Sequence, residues 1–242
     1  MIFHIQCLKL WLILCIMAFP SAYIYFTKPF IRIRGSRLLS ENAATVLVYG
    51  ILLLLAWLTG LQGAFVFSAK GTPEVFWILI SFTAAVLMGF ANLGIEYLEA
   101  AVPFWKKNGK FPALRPAAIY AESFRGSSVV SIILAAAAEE LIFRQVIMGG
   151  IAGGLGWSPW IAALVSSFVY GMNHVYFGRF QVIQKWSSGL IFSLLFVMCG
   201  GSIWPCILCH ATQNLALYGW SVFKTGKAQQ QGIDKNKKGA AA

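Results

Sequence analysis

Charged side chains are scarce in this chain. Only 11% of its 242 residues are charged, 59% are hydrophobic, and the mean hydropathy is +0.72. An ordinary soluble domain has about 25% charged residues. A soluble core of this size could not bury so much apolar surface, so we expect lipid to be the solvent. The composition favours one membrane-embedded helical domain over one or two soluble domains.

The sequence lacks the signatures of disulfide-stabilised proteins and of nucleic-acid-binding proteins. The five cysteines all lie in apolar stretches: Cys7, Cys15, Cys199, Cys206 and Cys209. An odd number in such places argues against a disulfide framework and favours small apolar side chains within helices. The formal net charge is +11, but no basic stripe with interleaved aromatic residues is present. We therefore expect no nucleic-acid partner.

Seven apolar stretches are each about as long as a transmembrane helix. They cover about residues 8–26, 43–67, 75–95, 128–151, 157–176, 186–199 and 203–223. The sequence predicts an all-α fold, a polytopic transmembrane bundle of about seven spans that forms one domain over 1–223. The polar tail 224–242 is predicted to be disordered and cytoplasmic. The segment 96–126 mixes aromatic and basic residues and is expected to be an amphipathic surface element or a solvated loop.

Basic residues are unevenly distributed between alternate loops. If the segment after the first apolar stretch is cytoplasmic, 16 of the 19 Lys and Arg residues fall on the cytoplasmic side. Lys9 and Lys70 then fall outside, and Arg144 lies within a predicted helix. The positive-inside rule predicts an external N-terminus and a cytoplasmic C-terminus. We expect an integral protein of the inner membrane of a bacterium or archaeon, surrounded by the lipid bilayer.

The fourth apolar stretch carries three charged residues, Glu139, Glu140 and Arg144. A charge at mid-bilayer costs at least ~2.5–3.5 kcal/mol, so each must be paired or face a wet cavity. Glu140 and Arg144 are four residues apart, share a helix face and can neutralise each other. Glu139 lies about 100° round the helix, and a desolvated carboxylate left over in this way can act as a general base. The alternative is that all three only clamp helices together.

Two later stretches add histidine and amide side chains. The fifth ends with Tyr170-Gly-Met-Asn-His174, and the seventh contains His210-Ala-Thr-Gln-Asn214. His210 and Asn214 share a helix face, and inside an apolar helix they need polar partners. Glu139 and His174 are the partners on offer. A base, hydrogen-bond donors for an oxyanion and exclusion of bulk water are what the hydrolysis of an amide requires.

Three motifs agree in order and spacing with those of a known family over about residues 128–220. They are EExxxR at Glu139–Arg144, FxxxH with Tyr in place of Phe at Tyr170–His174, and HxxxN at His210–Asn214. The sequence thus resembles the CAAX protease and bacteriocin-processing family of intramembrane proteases, relatives of the CAAX prenyl endoprotease of the Ras-converting type. Residues 1–100 carry no motif of this kind.

The resemblance implies an intramembrane endopeptidase that hydrolyses a peptide bond of a membrane-embedded peptide or protein substrate. Glu139 would be the catalytic base that activates water. The catalytic groups that bind this water and the oxyanion would be His174, His210 and Asn214. The supporting residues would be Glu140, Arg144 and Tyr170.

The cofactor requirement is open, because the family has been described both as metalloproteases and as glutamate-type proteases. Asn is a poor zinc ligand, and the chain has no HExxH sequence. We therefore expect metal-free chemistry and no cofactor. If the enzyme does depend on zinc, the expected ligands are Glu139, His174 and His210.

Other functions remain as alternatives. A non-catalytic regulatory or immunity protein of the same family would keep the fold without the chemistry. Cys206-Ile-Leu-Cys209-His210 reads as the C-x-x-C-H of c-type haem attachment, although short motifs often match by chance. A transporter could relay protons through buried Glu and His, but no inverted repeat is visible.

Two features of the predicted helices leave the packing open. His174 falls near the cytoplasmic end of its stretch and His210 in the outer half of its own, so they meet only if helices tilt or break. Pro205 and Gly200-Gly201 would permit this. The glycine pairs 149–150 and 153–154 would let an extended peptide substrate or a neighbouring helix approach closely.

Overall fold

The computed structural model of the protein describes residues 2–24, 32–33, 36–37, 41–59, 75–112 and 126–239. Its long helices are α1 (Ile2–Met17), α2 (Glu41–Leu58), α3 (Val75–Asn108), α4 (Gly126–Glu140), α5 (Pro159–Met172), α6 (Arg179–Met198) and α7 (Trp204–Gly239). Two two-residue strands, β1 (Arg32–Ile33) and β2 (Ser36–Arg37), pair antiparallel. The predicted all-α class is confirmed, and a helix lies in each of the seven apolar stretches.

The helix that carries the Glu-Glu pair does not stop at Glu140 but changes its winding. Leu141–Met148 and Gly150–Gly154 are π-helical, with the amide of Gly149 bonded to the carbonyl of Arg144. The carbonyl of Phe143 accepts a hydrogen bond from the Ser166 hydroxyl of α5 at 2.5 Å. π-Helical turns are rare and occur frequently at functional sites. Here the change of winding begins directly after the two glutamates.

Helix α3 is longer than predicted, since it continues through 96–108. It ends at Asn108, and the next residue, Gly109, has a φ of +67° that is typical of a glycine helix cap. The segment predicted to be a surface element or loop from residue 96 is therefore helical as far as Asn108. Its part from 113 to 125 lies outside the described residues.

Helices α6 and α7 also differ from their predicted bounds. Helix α6 begins at Arg179, so Lys185 belongs to a helix rather than to a cytoplasmic loop. The backbone of α7 is helical to Gly239, across most of the tail that was predicted to be disordered. Lys, Gln and Ala are strong helix formers, and they allow the helix to continue beyond its apolar part.

The described residues expose many large apolar side chains, while several polar and charged side chains are buried. Leu87 is 65% exposed and Met198 is 71% exposed, whereas Glu140 and Arg144 are fully buried. Two helical segments, Ile78–Asn108 and Arg179–Met198, are long and apolar enough to cross a bilayer. Large exposed apolar surfaces around buried polar groups are what lipid, rather than water, stabilises.

The π-helical continuation of α4 lies in the middle of the bundle. Together α4 and this continuation contact α1, α2, α5 and α7. Side chains of α1 fill two of the four glycine positions where the sequence left a choice between packing and substrate: Leu14 lies on Gly150 and Leu10 on Gly154. At these two glycines the close approach serves bundle packing.

Candidate active site

Glu140 and Arg144 form the predicted ion pair on one face of the helix. The Nε atom of Arg144 lies 3.2 Å from Oε2 of Glu140, and Nη1 donates to Oε1 at 3.4 Å. Both side chains are fully buried. Each therefore depends on the other, because an uncompensated buried charge is strongly destabilising.

The guanidinium of Arg144 also connects α4 to α6 and to two aromatic rings. Its Nη2 atom donates to the carbonyl of Gly189 at 3.0 Å. Its Cζ atom lies 4.7 Å from the ring centre of Tyr170 and 5.2 Å from that of Phe192. Hydrogen bonds and cation–π contacts of this kind stabilise a buried guanidinium. Arg144 thus holds Glu140 and the aromatic rings in one arrangement.

His210 lies between the two glutamates. Its Nδ1 atom lies 2.8 Å from Oε1 of Glu140, and its Nε2 atom lies 3.9 Å from Oε2 of Glu139. The ring also stacks on Phe192, with 4.9 Å between ring centres and 21° between planes. Because a carboxylate accepts and does not donate, Nδ1 of His210 carries the hydrogen that Glu140 receives.

Glu139 differs from Glu140 in its access to solvent. The side chain of Glu139 is 16% exposed, whereas that of Glu140 is 0% exposed. Two neighbours in sequence therefore have different surroundings, since Glu140 is enclosed by Arg144 and His210. The arrangement leaves Glu139 as the carboxylate that a water or a substrate can reach.

Tyr170 brings the two histidines into one site. Its ring centre lies 5.0 Å from that of His174 and 6.3 Å from that of His210. Helix α5 ends at Met172, so His174 belongs to the turn that follows and not to the helix itself. Both histidines thus lie near the Tyr170 ring despite the offset in depth expected from the sequence.

The ring of His174 is fixed by the backbone of its own turn. Nδ1 of His174 lies 2.9 Å from the carbonyl oxygen of Tyr170, which can only accept a hydrogen bond. Nδ1 is therefore the protonated nitrogen, and in the neutral ring Nε2 presents a lone pair. That nitrogen can accept a hydrogen bond from water.

Asn214 joins the site through its place on α7. It lies one turn beyond His210 on the same face and is partly buried. Among the described residues no contact links its amide to Glu139 or His174. The structure thus assembles six of the seven expected residues through direct contacts and places the seventh beside them.

Metal binding was the alternative for three of these residues. Among the described residues, no group of three or more His, Cys, Asp or Glu is arranged to hold a metal ion. The set Glu139, His174 and His210 is therefore not gathered as a ligand group in this arrangement.

A second buried polar cluster lies beside the site, and the sequence motifs did not reveal it. Oε1 of Glu96 accepts hydrogen bonds from Nζ of Lys185 at 2.7 Å and from the Ser188 hydroxyl at 2.8 Å. Nδ2 of Asn92 donates to Oε1 of Gln213 at 2.8 Å. One sequence signal was available: Asn92 and Glu96 are polar residues four apart at the end of an apolar stretch.

The segment that carries these motifs matches a known family. A family model described as type II CAAX prenyl endopeptidase, Rce1-like, matches residues 122–216. This segment is similar to the Rce1-like family. The resemblance to the CAAX protease and bacteriocin-processing family is thereby confirmed. The comparisons with curated proteins and with solved structures gave no match.

The matched family has a known general activity and location. Rce1-like proteins are membrane-embedded proteases of the CAAX type. The matched residues 122–216 include Glu139, the histidine after α5 and the histidine of α7. Helices α1, α2 and α3 lie before the matched segment.

Proposed function

We propose that this protein is an intramembrane endopeptidase that cleaves a membrane-associated peptide or protein with water activated by Glu139. The observation that carries the proposal is the position of His210 between Glu140, at 2.8 Å, and Glu139, at 3.9 Å. It gives two adjacent carboxylates different surroundings. Such separation of environments is how enzymes assign different roles to similar groups.

Glu139 is the general base in this mechanism. Its carboxylate takes a proton from a water molecule, and the water oxygen attacks the carbonyl carbon of the scissile peptide bond. Nε2 of neutral His174 accepts a hydrogen bond from the second O–H group of that water and so orients the water molecule. The proton held by Glu139 then passes to the leaving amine nitrogen as the C–N bond breaks.

His210 and Asn214 stabilise the negative charge that develops on the carbonyl oxygen. When the His210 ring carries two protons, Nδ1 donates to Glu140 and Nε2 becomes a donor directed towards the reacting groups. The Asn214 amide, one turn along α7, provides a second donor. Donors fixed before the reaction, in a site with little water, stabilise an oxyanion more than water does.

The mechanism requires no metal ion. Glu140 is engaged by Arg144 and His210, so using Glu139 as a metal ligand would remove the remaining base. A base, two donors and an oriented water are sufficient for the hydrolysis of an amide. We therefore propose a glutamate-type reaction without a cofactor.

We infer seven spans in the membrane, with an external N-terminus and a cytoplasmic C-terminus. Seven helices occupy the seven apolar stretches, and their described surfaces expose many large apolar side chains. The excess of Lys and Arg in alternate loops supports the orientation. The proposed substrate reaches Glu139 from within or beside the bilayer.

The test compares membrane proteomes of cells that carry the wild-type chain, Glu139→Gln or a control variant. The matched control is Glu41→Gln at the first residue of α2, which makes the same chemical change outside the motifs. Cells with wild type or the control should contain a cleaved product with a new terminus. Cells with Glu139→Gln should accumulate its uncleaved precursor, with the variant present at the wild-type level.

One result would contradict the proposed role of Glu139. If all three strains contain the same products in the same amounts, and the variants are inserted and folded, Glu139 is not a catalytic base. The activity of the chain would then have to be that of a non-catalytic membrane protein.

A further inference from the structure

Two polar residues of α3 lie against the helices that build the active site. Asn92 is fully buried and Glu96 is 9% exposed. They are four residues apart and share one face of α3. Both precede the segment 122–216 that matches the family. We call these two residues the α3 pair.

Asn92 is attached to the helix that carries His210 and Asn214. Its Nδ2 atom donates to Oε1 of Gln213 at 2.8 Å. Gln213 lies between His210 and Asn214 in the sequence and is itself buried. A rotation of α7 about its axis would therefore strain this hydrogen bond and would also redirect both catalytic side chains.

Glu96 is attached to α6 by three hydrogen bonds. Its carboxylate accepts from Lys185 at 2.7 Å and from Ser188 at 2.8 Å, and its backbone carbonyl accepts from Nε2 of Gln184 at 2.6 Å. The residue after Ser188 is Gly189, whose carbonyl accepts from Arg144. Adjacent residues of α6 are thus held by α3 on one side and by the active-site arginine on the other.

The backbones of α3 and α7 also touch beside the α3 pair. A Cβ atom at Gly89 would lie 2.6 Å from the carbonyl oxygen of Cys209, the residue before His210. Gly89 lies on the same face of α3 as Asn92 and Glu96. The contact leaves little freedom for α7 to shift towards α3, so the hydrogen bond of Asn92 acts on a helix that is already closely packed.

Stability by itself does not explain the bond between Asn92 and Gln213. Oδ1 of Asn92 is buried and has no hydrogen-bond partner among the described residues. A buried polar atom without a partner destabilises a fold, and two apolar side chains of similar shape would avoid this. What the amide pair provides and an apolar pair does not is a directional contact between two helices.

We propose that Asn92 and Glu96 are positioning residues, which hold α7 and α6 so that His210 and Asn214 point at the reacting groups. The inference rests on the proposed function of the Glu139 site. A misplacement of about 1 Å can reduce a reaction rate about 10²-fold even when the change lies far from the chemistry. The residues that shape the active site therefore include the α3 pair, which lies outside the segment 122–216.

The test replaces the hydrogen-bonded amides by apolar side chains in the double variant Asn92→Leu/Gln213→Met. Removing both amides leaves neither of them stranded, and Glu96 keeps its hydrogen bonds from Lys185 and Ser188, so the double variant should unfold at close to the wild-type temperature. Cleavage of the precursor identified with Glu139→Gln should fall about 10²-fold. The matched control is Asn108→Leu at the exposed end of α3, which should change neither quantity.

A second readout does not depend on cleavage. The chain has three histidines, so the imidazole ¹⁵N resonances of His210 can be assigned in the detergent-solubilised protein with a His210→Gln variant. The Nδ1 resonance should move in the double variant, because the ring is redirected relative to Glu140, and should not move in Asn108→Leu. If wild type cleaves nothing, the proposed function fails, while this measurement still tests the positioning.

A second double variant keeps the proposal testable if the apolar double variant does not fold. Asn92→Gln/Gln213→Asn exchanges the two amides and keeps their combined length, so a hydrogen bond can form again. It should restore the wild-type Nδ1 resonance and most of the cleavage. The proposal is overturned if the apolar double variant has wild-type cleavage and resonance, or if the exchanged pair folds without restoring the resonance.

Discussion

Nδ1 of His210 lies 2.8 Å from Oε1 of Glu140, within the group that Arg144 also engages. The same carboxylate therefore neutralises a guanidinium and orients an imidazole. This leaves Nε2 of His210 directed to the side where the more accessible Glu139 lies, 3.9 Å away. Glu140 is thus more than the partner of an arginine, since it determines which nitrogen of His210 faces the reaction.

Replacing Arg144 should destabilise the protein rather than only slow it. Arg144→Ala leaves Glu140 as an uncompensated buried charge and removes the bond to Gly189, at a cost of about 3–5 kcal/mol. Unfolding in detergent, followed by circular dichroism, measures the loss. Arg179→Ala at the exposed start of α6 is the control and should unfold like wild type. Wild-type stability of Arg144→Ala would mean that Glu140 does not depend on the ion pair.

Two glycines of α3 should respond in opposite ways to alanine. At Gly89 a Cβ atom would meet the Cys209 carbonyl oxygen at 2.6 Å, whereas at Gly94 nothing lies within 4 Å. Gly89→Ala should destabilise the protein by about 1–3 kcal/mol, as overpacking does. Gly94→Ala should be neutral or stabilising, because alanine is the better helix former. Thermal unfolding measures both variants. Equal shifts of the unfolding temperature would contradict the close contact between α3 and α7 at Gly89.

Activity should survive removal of metal ions. The enzyme is dialysed against a strong chelator, and cleavage and elemental composition are measured on the same sample. Full cleavage without bound metal is expected, because Glu139 remains available as the base. Stoichiometric zinc, with cleavage lost on chelation and recovered on adding zinc, would instead make Glu139, His174 and His210 ligands.

Reporter fusions should show an external N-terminus and a cytoplasmic C-terminus. A phosphatase that is active only outside the cytoplasm should work before Leu8 and fail after Phe223. A fluorescent protein that matures only in the cytoplasm should give the reverse pattern. The expectation follows from the sequence-based assignment of 16 basic residues to the cytoplasmic side, of which Lys185 lies in α6 rather than in a loop. External activity of a C-terminal phosphatase would require an even number of spans or the opposite orientation.

Much of the fold followed from local patterns. Long apolar runs predict helices wherever they occur, and a helix is present in all seven. The ends were less certain, as α3 and α6 show. Helix α3 continues past Ile95 because its next turns still bury Ala101 and Glu96, and that burial depends on neighbours far away in sequence.

The geometry of single helices predicted only part of the candidate site. Four-residue spacing places Glu140 beside Arg144 and His210 beside Asn214 in any α-helix. It gives no information on which carboxylate His210 will meet, because Glu139 and Glu140 both project from one turn of α4. Gln213 gave no signal either, since its partner Asn92 is 121 residues away.

The amino-acid sequence by itself determined the helical class, the similarity of residues 122–216 to the Rce1-like family and the faces shared by its charged residues. These properties depend on composition and on the periodicity of a single helix. Only the tertiary structure decided that Glu140 holds His210, that α1 covers Gly150 and Gly154, and that α3 holds α6 and α7 through Asn92 and Glu96. The physical reason is that a helix fixes the direction of its own side chains, whereas the groups that they meet depend on how separate helices rotate and pack against one another.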